Sequence, residues 1–179
     1  NIALATTYSQ REIGNLSGDK DPNSFGLGYE YQRTGNPTRG AFERAIAGCE
    51  NGRYAVAFGS GSAAGAAIVQ TLNSNDHVIS IDDVYGGTQR QFRRIFNPNS
   101  NIEFSFIDLS DLELLKNTIN SKTRLIWIES PTNPTLKITD IKRISLFIKE
   151  ELKRDDIYII VDNTFATPYF QNPLDLGAD

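Results

Sequence analysis

Short apolar runs alternate with stretches of helical periodicity along most of the chain. The runs predict buried strands, and they occupy residues 54–58, 77–81, 102–107, 125–128 and 157–161. Predicted helices lie between them and begin near Gly61, Gly86, Ser110 and Thr139. Continuous apolar strands separated by helices indicate a parallel or mostly parallel sheet with helices on both faces, so the pattern predicts an open α/β fold.

The first predicted helix lies in the stretch NPTRGAFERAIAGCENG. Asn36 can cap its free N–H groups, Pro37 suits a first helical turn, and Gly52 lies beyond its end. We expect its apolar stripe to be buried, and this stripe consists of Ala41, Phe42, Ala45, Ile46 and Cys49. A later helix is predicted to begin with a capping box at residues 110–113 (SDLE).

The first 36 residues differ from the rest because they are polar, Gly-rich and without regular periodicity. They predict an extended N-terminal arm, and residues 37–179 predict the α/β domain. The chain begins at Asn1 and stops directly after a loop at LDLGAD. We therefore expect it to be a piece of a longer protein.

Composition narrows the class of protein further. The 179 residues are 39% hydrophobic and 22% charged, with a formal net charge of -4, which is ordinary for a soluble globular protein. The negative charge argues weakly against nucleic acid and anionic membranes as partners, and no apolar run approaches the roughly 20 residues that span a bilayer. With Cys49 as its only cysteine, the chain has no internal disulfide framework, which favours a cytoplasmic location.

Acidic residues follow most of the predicted strands, at the edge where parallel sheets bind ligands. These acids are Asp82, Asp108, Glu129 and Asp162. Asp108 is interpreted as a helix cap or polar strand exit. Asp162 does not fit that interpretation, because Pro168 interrupts the segment that follows it. A buried carboxylate needs a partner, so Asp162 predicts either a cation in its own chain or a bound ligand.

The stretch FGSGSAAG (residues 58–65) follows a predicted strand and opens a predicted helix. Free backbone N–H groups and the positive end of the helix dipole would then face one point, which is the arrangement that binds phosphate. Ser60 and Ser62 can add hydroxyl donors. A tight strand-to-helix turn, built from small residues for close packing, is the alternative interpretation.

The same stretch partly matches a dinucleotide fingerprint. Gly59, Gly61 and Gly65 form GxGxxxG, one residue away from GxGxxG, while the Gly-Lys-Ser/Thr of a Walker A loop is absent from the sequence. Asp82 ends the next predicted strand, where a ribose-binding acid belongs. A nicotinamide-dependent oxidoreductase therefore stays an alternative, although it leaves Asp162 without a role.

Four further side chains are candidates for holding a ligand. Tyr85 precedes two glycines at a strand exit, where an aromatic residue either packs or stacks on a planar ring. Asn133 offers an amide from the Pro-rich loop ESPTNPT. Tyr31 and Arg33 face the same side of an extended segment, and a guanidinium suits a phosphate, although Arg33 alone also fits a surface position. One histidine, His77, and one cysteine argue against zinc and against a hydrolytic triad.

A phosphate loop, a stacking tyrosine and an acid at a later strand end suit a planar, phosphorylated ring that contains nitrogen. From Tyr29 onward the sequence resembles the Cys/Met-metabolism family of pyridoxal-phosphate enzymes. The matching stretches are YEYQRTGNPTRGAFERAIAGCENG, AFGSGSAA, IDDVYGGTQRQFRR, LIWIESPTNPTLKITDI and VDNTFATPYFQNPLDLGAD. The resemblance implies the large domain of fold type I, which is aspartate aminotransferase-like, and pyridoxal 5′-phosphate as the cofactor.

The resemblance also implies roles for individual residues. Gly61 and Ser62 would bind the cofactor phosphate through backbone N–H groups. Tyr85 would stack on the pyridine ring and Asp162 would pair with the ring nitrogen, which makes these two the catalytic residues within the chain.

Other implied roles concern the ring hydroxyl and a neighbouring subunit. Asn133 would lie near the ring hydroxyl and the substrate, and Thr164 beside the ring. Tyr31 and Arg33 would reach the cofactor of a neighbouring subunit, so the N-terminal arm would contribute to contacts between subunits. The resemblance also implies a homotetramer built of two dimers. The implied substrate is an amino-acid thioether, cystathionine or a related compound, in transsulfuration.

The stretches EYQRTGNPT and WIESPTNPTLK most resemble the γ-lyase branch of the family. Gly87 stands where methionine γ-lyases carry a cysteine, which argues against that branch, and the γ-synthase and β-lyase branches stay open. The lysine that binds the cofactor as a Schiff base lies, in the family, shortly beyond the LGAD stretch. We therefore expect the 179 residues alone to be inactive, with Lys137 the lysine nearest the site, and a non-catalytic phosphate-binding chain stays an alternative.

Overall fold

The computed structural model describes residues 2–9, 13 and 28–179. It divides into two compact units, Asn1–Phe58 and Gly59–Asp179. Part of the predicted arm lies outside the described residues, and its assignment as a separate domain ending at residue 36 stays a prediction. Within the described ranges, no helix has the length and apolar character needed to cross a membrane.

The first unit contains helix α1 (Pro37–Cys49), which begins where the sequence predicted. The side chain of Asn36 accepts hydrogen bonds from the backbone N–H groups of Thr38 and Arg39, at 2.9 and 3.0 Å, and Pro37 occupies the first turn. Asn36 therefore satisfies two of the N–H groups that a helix leaves free at its start.

The predicted burial of the α1 stripe is wrong. Phe42 is 57% exposed and Ile46 37% exposed, and Cys49 is also exposed. The buried residues of α1 are Gly40, Glu43 and Ala47, which lie on the opposite face of the helix. The stripe is apolar as the periodicity indicated, but the contacts that α1 forms within this unit involve its other face.

The predicted strand at residues 54–58 is also wrong. Tyr54, Val56 and Phe58 are 60%, 70% and 47% exposed, and no ladder forms along this segment. The backbone N–H of Ala57 instead donates to the Glu43 carboxylate at 2.9 Å. A strand needs a neighbouring strand for its N–H and C=O groups, and within the described residues none lies beside this segment.

The second unit is built on a four-stranded parallel sheet. Its strands are β1 (His77–Ile81), β2 (Glu103–Ile107), β3 (Thr123–Glu129) and β4 (Tyr158–Asp162), in the order β2-β1-β3-β4. Its helices are α2 (Gly61–Val69), α3 (Gly86–Gln91), α4 (Asn97–Ser100), α5 (Leu112–Thr118), α6 (Ile141–Leu146) and α7 (Thr167–Phe170). This confirms the predicted α/β class and the four later strands.

Three short helical turns complete the second unit. A π-helical turn, Phe92–Phe96, joins α3 to α4, and a second, Phe147–Glu151, extends α6. A 3-10 turn, Pro173–Leu176, follows α7.

The core of this unit lies along the two central strands. All five residues of β1 are buried, and so are six of the seven of β3. At the amino end of β1, the ring of His77 forms hydrogen bonds with Thr123 of β3, at 2.8 Å, and Ser105 of β2, at 2.9 Å. Buried apolar strands therefore hold the sheet, and the sole histidine links three strands rather than serving a site.

The start of α5 differs from the predicted capping box. Asp111 is the cap, and its carboxylate accepts a hydrogen bond from the N–H of Leu114 at 2.9 Å. Ser110 does not cap the helix, because its N–H and hydroxyl both donate to Asp108, at 2.9 and 2.7 Å. Asp108 thus closes a turn at its strand exit, which is the local hydrogen bonding that aspartate favours.

Candidate active site

Two acids stand side by side where β3 and β4 end. Glu129 and Asp162 are the last residues of their strands and are paired in the ladder register. Glu129 is 4% exposed, whereas Asp162 is half-buried. The sheet therefore presents two neighbouring carboxylates at its carboxyl edge, where parallel sheets bind ligands.

The Glu129 carboxylate is held by the backbone that leaves β1. The N–H of Tyr85 donates to both of its oxygens, at 3.1 and 2.9 Å. Burial raises the pKa of Glu129 to about 7, and the nearby Asp162 charge adds to the rise, against the effect of the Tyr85 hydrogen bond. The buried indole N–H of Trp127, like that hydrogen bond, lowers the pKa of Glu129, although it forms no hydrogen bond of good geometry with any described residue.

One of the two carboxylate oxygens of Asp162 accepts hydrogen bonds from the described residues. Its Oδ1 accepts hydrogen bonds from the N–H and hydroxyl of Thr164, at 3.0 and 2.5 Å. Among the described residues, no lysine or arginine forms an ion pair with Asp162, and its Oδ2 accepts no hydrogen bond. Of the two expectations for this residue, the described residues supply no cation, and the ligand stays a prediction.

The start of α2 offers a second set of polar groups. Ser60 caps the helix by accepting a hydrogen bond from Ala63 N–H at 3.1 Å, which leaves the N–H groups of Gly61 and Ser62 without an acceptor among the described residues. Both residues are exposed, and a side chain built at Gly61 would meet nothing within 4 Å. Open backbone donors at a helix start form an anion-binding site.

Tyr85 lies at the start of α3, where it occupies the cap position. Its side chain is 48% exposed and lies against Gly87: a Cβ atom at Gly87 would be only 2.5 Å from a ring carbon of Tyr85. The last residue of α3 also contacts α2, because the Gln91 side chain donates to the carbonyl of Ser62 at 3.2 Å. The stacking candidate and the phosphate candidate therefore belong to neighbouring elements.

Asn133 is half-buried in the loop after β3, between the cis peptide bonds Ser130–Pro131 and Asn133–Pro134. Asp83 holds this loop by accepting hydrogen bonds from the Thr132 hydroxyl, at 2.5 Å, and from the Thr135 N–H, at 3.1 Å, as well as the Thr135 hydroxyl. The hydrogen bonds from Thr132 and Thr135 lower the pKa of Asp83. Asp83 thus fixes the loop that carries Asn133.

The segment after β4 is tied to the same loop. The Gln171 amide donates to the carbonyl of Ser130 at 2.8 Å and to the Asn163 side chain at 2.9 Å. Asn163 in turn donates to the Gln171 carbonyl at 2.8 Å. These bonds join the residues that follow β4, including the turn of Thr164, to the loop that follows β3.

The side chain of Lys137 contacts two acids that follow strands β1 and β2. Its ammonium group forms an ion pair with Asp82 at 3.0 Å and lies 3.9 Å from Asp108. Asp82, the acid that a dinucleotide site would use for ribose, is therefore already paired. Gly65 lies close to Trp127, since a Cβ at Gly65 would be 3.2 Å from the indole. The structure thus gives two of the nicotinamide-type features other roles.

Tyr31 and Arg33 lie in the first unit, in a turn that precedes α1, so the predicted extended segment is wrong here: the N–H groups of Thr34 and Gly35 both donate to the carbonyl of Tyr31. The guanidinium of Arg33 lies 5.2 Å from the Tyr31 ring centroid and forms no ion pair within the described part of the chain. Arg39 holds this turn by donating to the carbonyl of Gln32 at 2.8 Å. An open cavity of about 320 Å³ is lined by Tyr31, Gln32, Arg33, Asn36 and Arg39. Among the residues that the structure describes, the turn therefore presents a guanidinium without an ion-pair partner.

Three residues of this site were not assigned roles from the sequence. The sequence indicates Glu129 only as an acid at a strand end, and Gly87 only as a marker of a family branch. Asp83 had no signal beyond being the second of two consecutive aspartates after a strand. Each of these residues contacts another residue of the site, which spacing along the chain does not reveal.

The groups of the second unit fit pyridoxal phosphate. The open N–H groups of Gly61 and Ser62 suit its phosphate, the half-exposed ring of Tyr85 suits its planar ring, and the free oxygen of Asp162 suits its ring nitrogen. Each of these groups is uncommitted toward the described chain and is the type that the respective part of the cofactor requires.

Comparisons with known proteins agree with this fit. The family model described as "Cys/Met metabolism PLP-dependent enzyme" matches residues 1–179. A cystathionine γ-lyase of Dictyostelium discoideum is 51% identical over 178 residues, covering 99% of this chain and 42% of the relative. A cystathionine β-lyase of Coxiella burnetii is 42% identical, covering 99% of this chain and 42% of the relative.

A solved structure shows the same fold. The crystal structure of cystathionine γ-lyase from Lactobacillus plantarum, complexed with L-serine, superimposes with a TM-score of 0.88 at 41% identity, covering 100% of this chain and 43% of that one. The fold is therefore type I, and the chain spans about two fifths of the length of the relatives it matches. The chain belongs to the Cys/Met-metabolism family of enzymes that depend on pyridoxal phosphate.

Proposed function

We propose that this chain is the cofactor-binding part of a cystathionine γ-lyase. The intact enzyme would convert cystathionine and water into cysteine, 2-oxobutyrate and ammonia, in transsulfuration. The observation that carries the proposal is Asp162, a carboxylate at the carboxyl edge of a parallel sheet with one oxygen that accepts no hydrogen bond from the described residues. It is paired with Glu129, which accepts hydrogen bonds from the backbone N–H of Tyr85. Relatives named cystathionine γ-lyase support the choice of branch.

Each residue has a definite role in this proposal. The N–H groups of Gly61 and Ser62 donate to the cofactor phosphate, and the ring of Tyr85 stacks on the pyridine ring. Asp162 accepts a hydrogen bond from the protonated ring nitrogen and so keeps that proton in place. Bound pyridoxal phosphate supplies an electron sink for the negative charge that develops at the substrate α-carbon.

The remaining polar residues orient the cofactor and the substrate. Asn133 donates its amide to the ring hydroxyl, from the loop that Asp83 holds in place. Thr164 lies beside the ring and also keeps Oδ1 of Asp162 fixed, so that Oδ2 stays free for the ring nitrogen. These contacts would preorganise the carboxylate, which lowers the reorganisation that the reaction requires.

We further propose that Tyr31 and Arg33 act on the cofactor of a neighbouring subunit, in a cytoplasmic homotetramer made of two dimers. The guanidinium of Arg33 stacks on Tyr31 and is uncommitted toward the described residues, and a guanidinium binds phosphate through two hydrogen bonds at once. Chemical cross-linking of the intact protein, combined with its mass in solution, tests the assembly.

A β-lyase is the second candidate, because a cystathionine β-lyase is 42% identical over 99% of the chain. That reaction breaks the bond at the β-carbon and leaves pyruvate, a three-carbon 2-oxo acid, in place of 2-oxobutyrate. A γ-synthase would instead form the thioether.

The product formed by the intact protein separates these branches. The holoenzyme is incubated with cystathionine, and the 2-oxo acid is identified by mass spectrometry. We expect 2-oxobutyrate. Pyruvate would show the β-lyase reaction. Bound cofactor without any product would contradict both lyase reactions and leave the γ-synthase and the non-catalytic phosphate-binding chain as alternatives.

A further inference from the structure

Tyr85 is restrained at two points that the sequence did not indicate. Its backbone N–H donates to both oxygens of the buried Glu129 carboxylate, at 3.1 and 2.9 Å. Its ring lies against the backbone of Gly87, two residues along the chain. Since α3 has no side-chain cap of its own, Glu129 is the group that anchors the start of this helix.

The contact between the ring and Gly87 leaves no room for a side chain. A Cβ at Gly87 would lie 2.5, 3.1 and 3.3 Å from three ring carbons of Tyr85. Carbon atoms pack at about 3.5–4.0 Å, so the ring would have to move by about 1 Å. The neighbouring Gly86 differs, because a Cβ there would meet only the end of the flexible Arg90 side chain, at 3.3 Å.

Burying the Glu129 carboxylate beside a second carboxylate destabilises the fold. Glu129 is 4% exposed, and the carboxylate of Asp162 is its neighbour on β4. Two adjacent carboxylates repel each other, and burial raises the pKa of Glu129 to about 7. A group that destabilises the fold and yet contacts the stacking residue is typical of a functional site.

We propose that Glu129 and Gly87 are positioning residues, which hold Tyr85 where its ring stacks on the cofactor. Glu129 fixes the backbone of Tyr85, and Gly87 admits the ring to its present position. This inference rests on the proposed stacking role of Tyr85. By the same contact, the size of the residue at position 87 would influence where the ring lies.

The test is a double-mutant cycle on the intact protein, freed of cofactor and titrated with pyridoxal 5′-phosphate. For Gly87→Ala we expect the Kd to rise roughly three- to tenfold, the share that ring stacking contributes. Gly86→Ala is the matched control, the same change one residue away, and we expect its Kd to stay within about twofold of the original protein. Equal Kd values for Gly87→Ala and the original protein would overturn the role of Gly87.

The second arm of the cycle uses Tyr85→Ala. We expect Gly87→Ala to have no further effect on the Kd once Tyr85 is replaced, because the ring that it displaces is gone. A further loss would show that Gly87 acts independently of Tyr85 and would overturn the inference. An unchanged Kd for Tyr85→Ala alone would instead refute the proposed stacking, so the two failures are distinguishable.

Glu129→Gln gives an independent measurement that does not depend on how Gly87→Ala folds. The glutamine keeps the size and one acceptor oxygen, and we expect a Kd increase of roughly two- to fivefold, the loss of part of one charged hydrogen bond. We also expect the Tm of the cofactor-free protein at pH 8 to stay equal or rise. A lower Tm together with an unchanged Kd would mean that Glu129 is merely structural.

Discussion

Residues 54–58 of the first unit and strand β1 of the second have similar apolar sequences, but only β1 is buried and paired with other strands. Every residue of β1 is buried between β2 and β3, whereas Val56 is 70% exposed and no ladder forms along residues 54–58. Apolar sequence therefore indicates where a strand is possible. A strand forms only where neighbouring strands complete its hydrogen bonds.

The two units also differ in their polar groups. The second unit carries the acids Glu129 and Asp162 at its strand ends and open N–H donors at the start of α2. In the first unit, Arg33 lies in the turn before α1 and Arg39 lies in the first turn of α1. If the proposed function is correct, the second unit binds the reacting ring, and the first unit contributes a phosphate ligand to a neighbouring subunit. Substitutions in the second unit should then affect turnover, and those in the first should affect cofactor affinity.

The largest effect is expected at Asp162. Asp162→Asn removes the charge that holds a proton on the ring nitrogen, and we expect kcat of the intact enzyme to fall roughly 100- to 1000-fold, as for other preorganised electrostatic groups. Asp155→Asn, at an exposed position in the same unit, is the control. Steady-state kinetics with cystathionine measures both, and near-normal turnover of Asp162→Asn would contradict the assigned role.

Core substitutions test the structural side of the comparison. Ile126, in the central strand β3, is fully buried, and we expect Ile126→Ala to lower the free energy of unfolding by about 2–5 kcal/mol. Val56→Ala should change it by less than about 0.5 kcal/mol in the 179-residue chain, because that side chain is exposed. Urea denaturation compares the two, and an equally large loss at Val56 would show that residues 54–58 are covered.

Glu129 predicts a dependence of stability on pH. Its pKa is raised to about 7 in the folded chain from 4.5, so the folded state binds a proton more readily, and stability falls as pH rises through this range. From pH 5.5 to 8 the cofactor-free protein should lose about 2 kcal/mol that Glu129→Gln retains. Parallel urea titrations at both pH values check this, and parallel losses in the two proteins would contradict it.

Arg33 tests the functional contribution of the first unit. Arg33→Ala should weaken retention of pyridoxal phosphate by about 1.5–3 kcal/mol, the range for a hydrogen bond to a charged group. Arg53→Ala is a matched control, since Arg53 also stacks on a tyrosine of this unit, at 5.1 Å from the Tyr54 centroid. Equilibrium dialysis of the intact protein gives the two affinities, and equal values would leave Arg33 as a surface residue.

His77 is expected to have the smallest effect. Burial lowers its pKa in the folded chain below 6.5, with Glu103 acting weakly in the opposite direction. The unfolded state then takes up the proton first, so stability decreases as pH falls below 6.5, by at most about 1.4 kcal/mol per pH unit. His77→Gln should reduce this slope in thermal unfolding between pH 6.5 and 5, and an unchanged slope would assign it to other groups.

Elements whose evidence is local could be predicted from the sequence. The cap at Asn36 and the helix that begins at Gly61 depend on neighbours within a few residues, and both form as expected. The α1 stripe failed because periodicity identifies an apolar face without identifying what packs on it. Asp111 replaced Ser110 as a cap because the turn of Asp108 already used the Ser110 hydroxyl.

Residue identity alone determined the candidate chemistry of this protein: a glycine-rich turn before a helix, a tyrosine before two glycines and an acid at the end of an apolar strand. Tertiary structure decided how those groups are held. It brought Glu129 to the backbone of Tyr85 across 44 residues of sequence, and Asp83 to the loop of Asn133. Parallel pairing aligns the carboxyl ends of strands that are distant in sequence, and spacing along the chain does not determine that register.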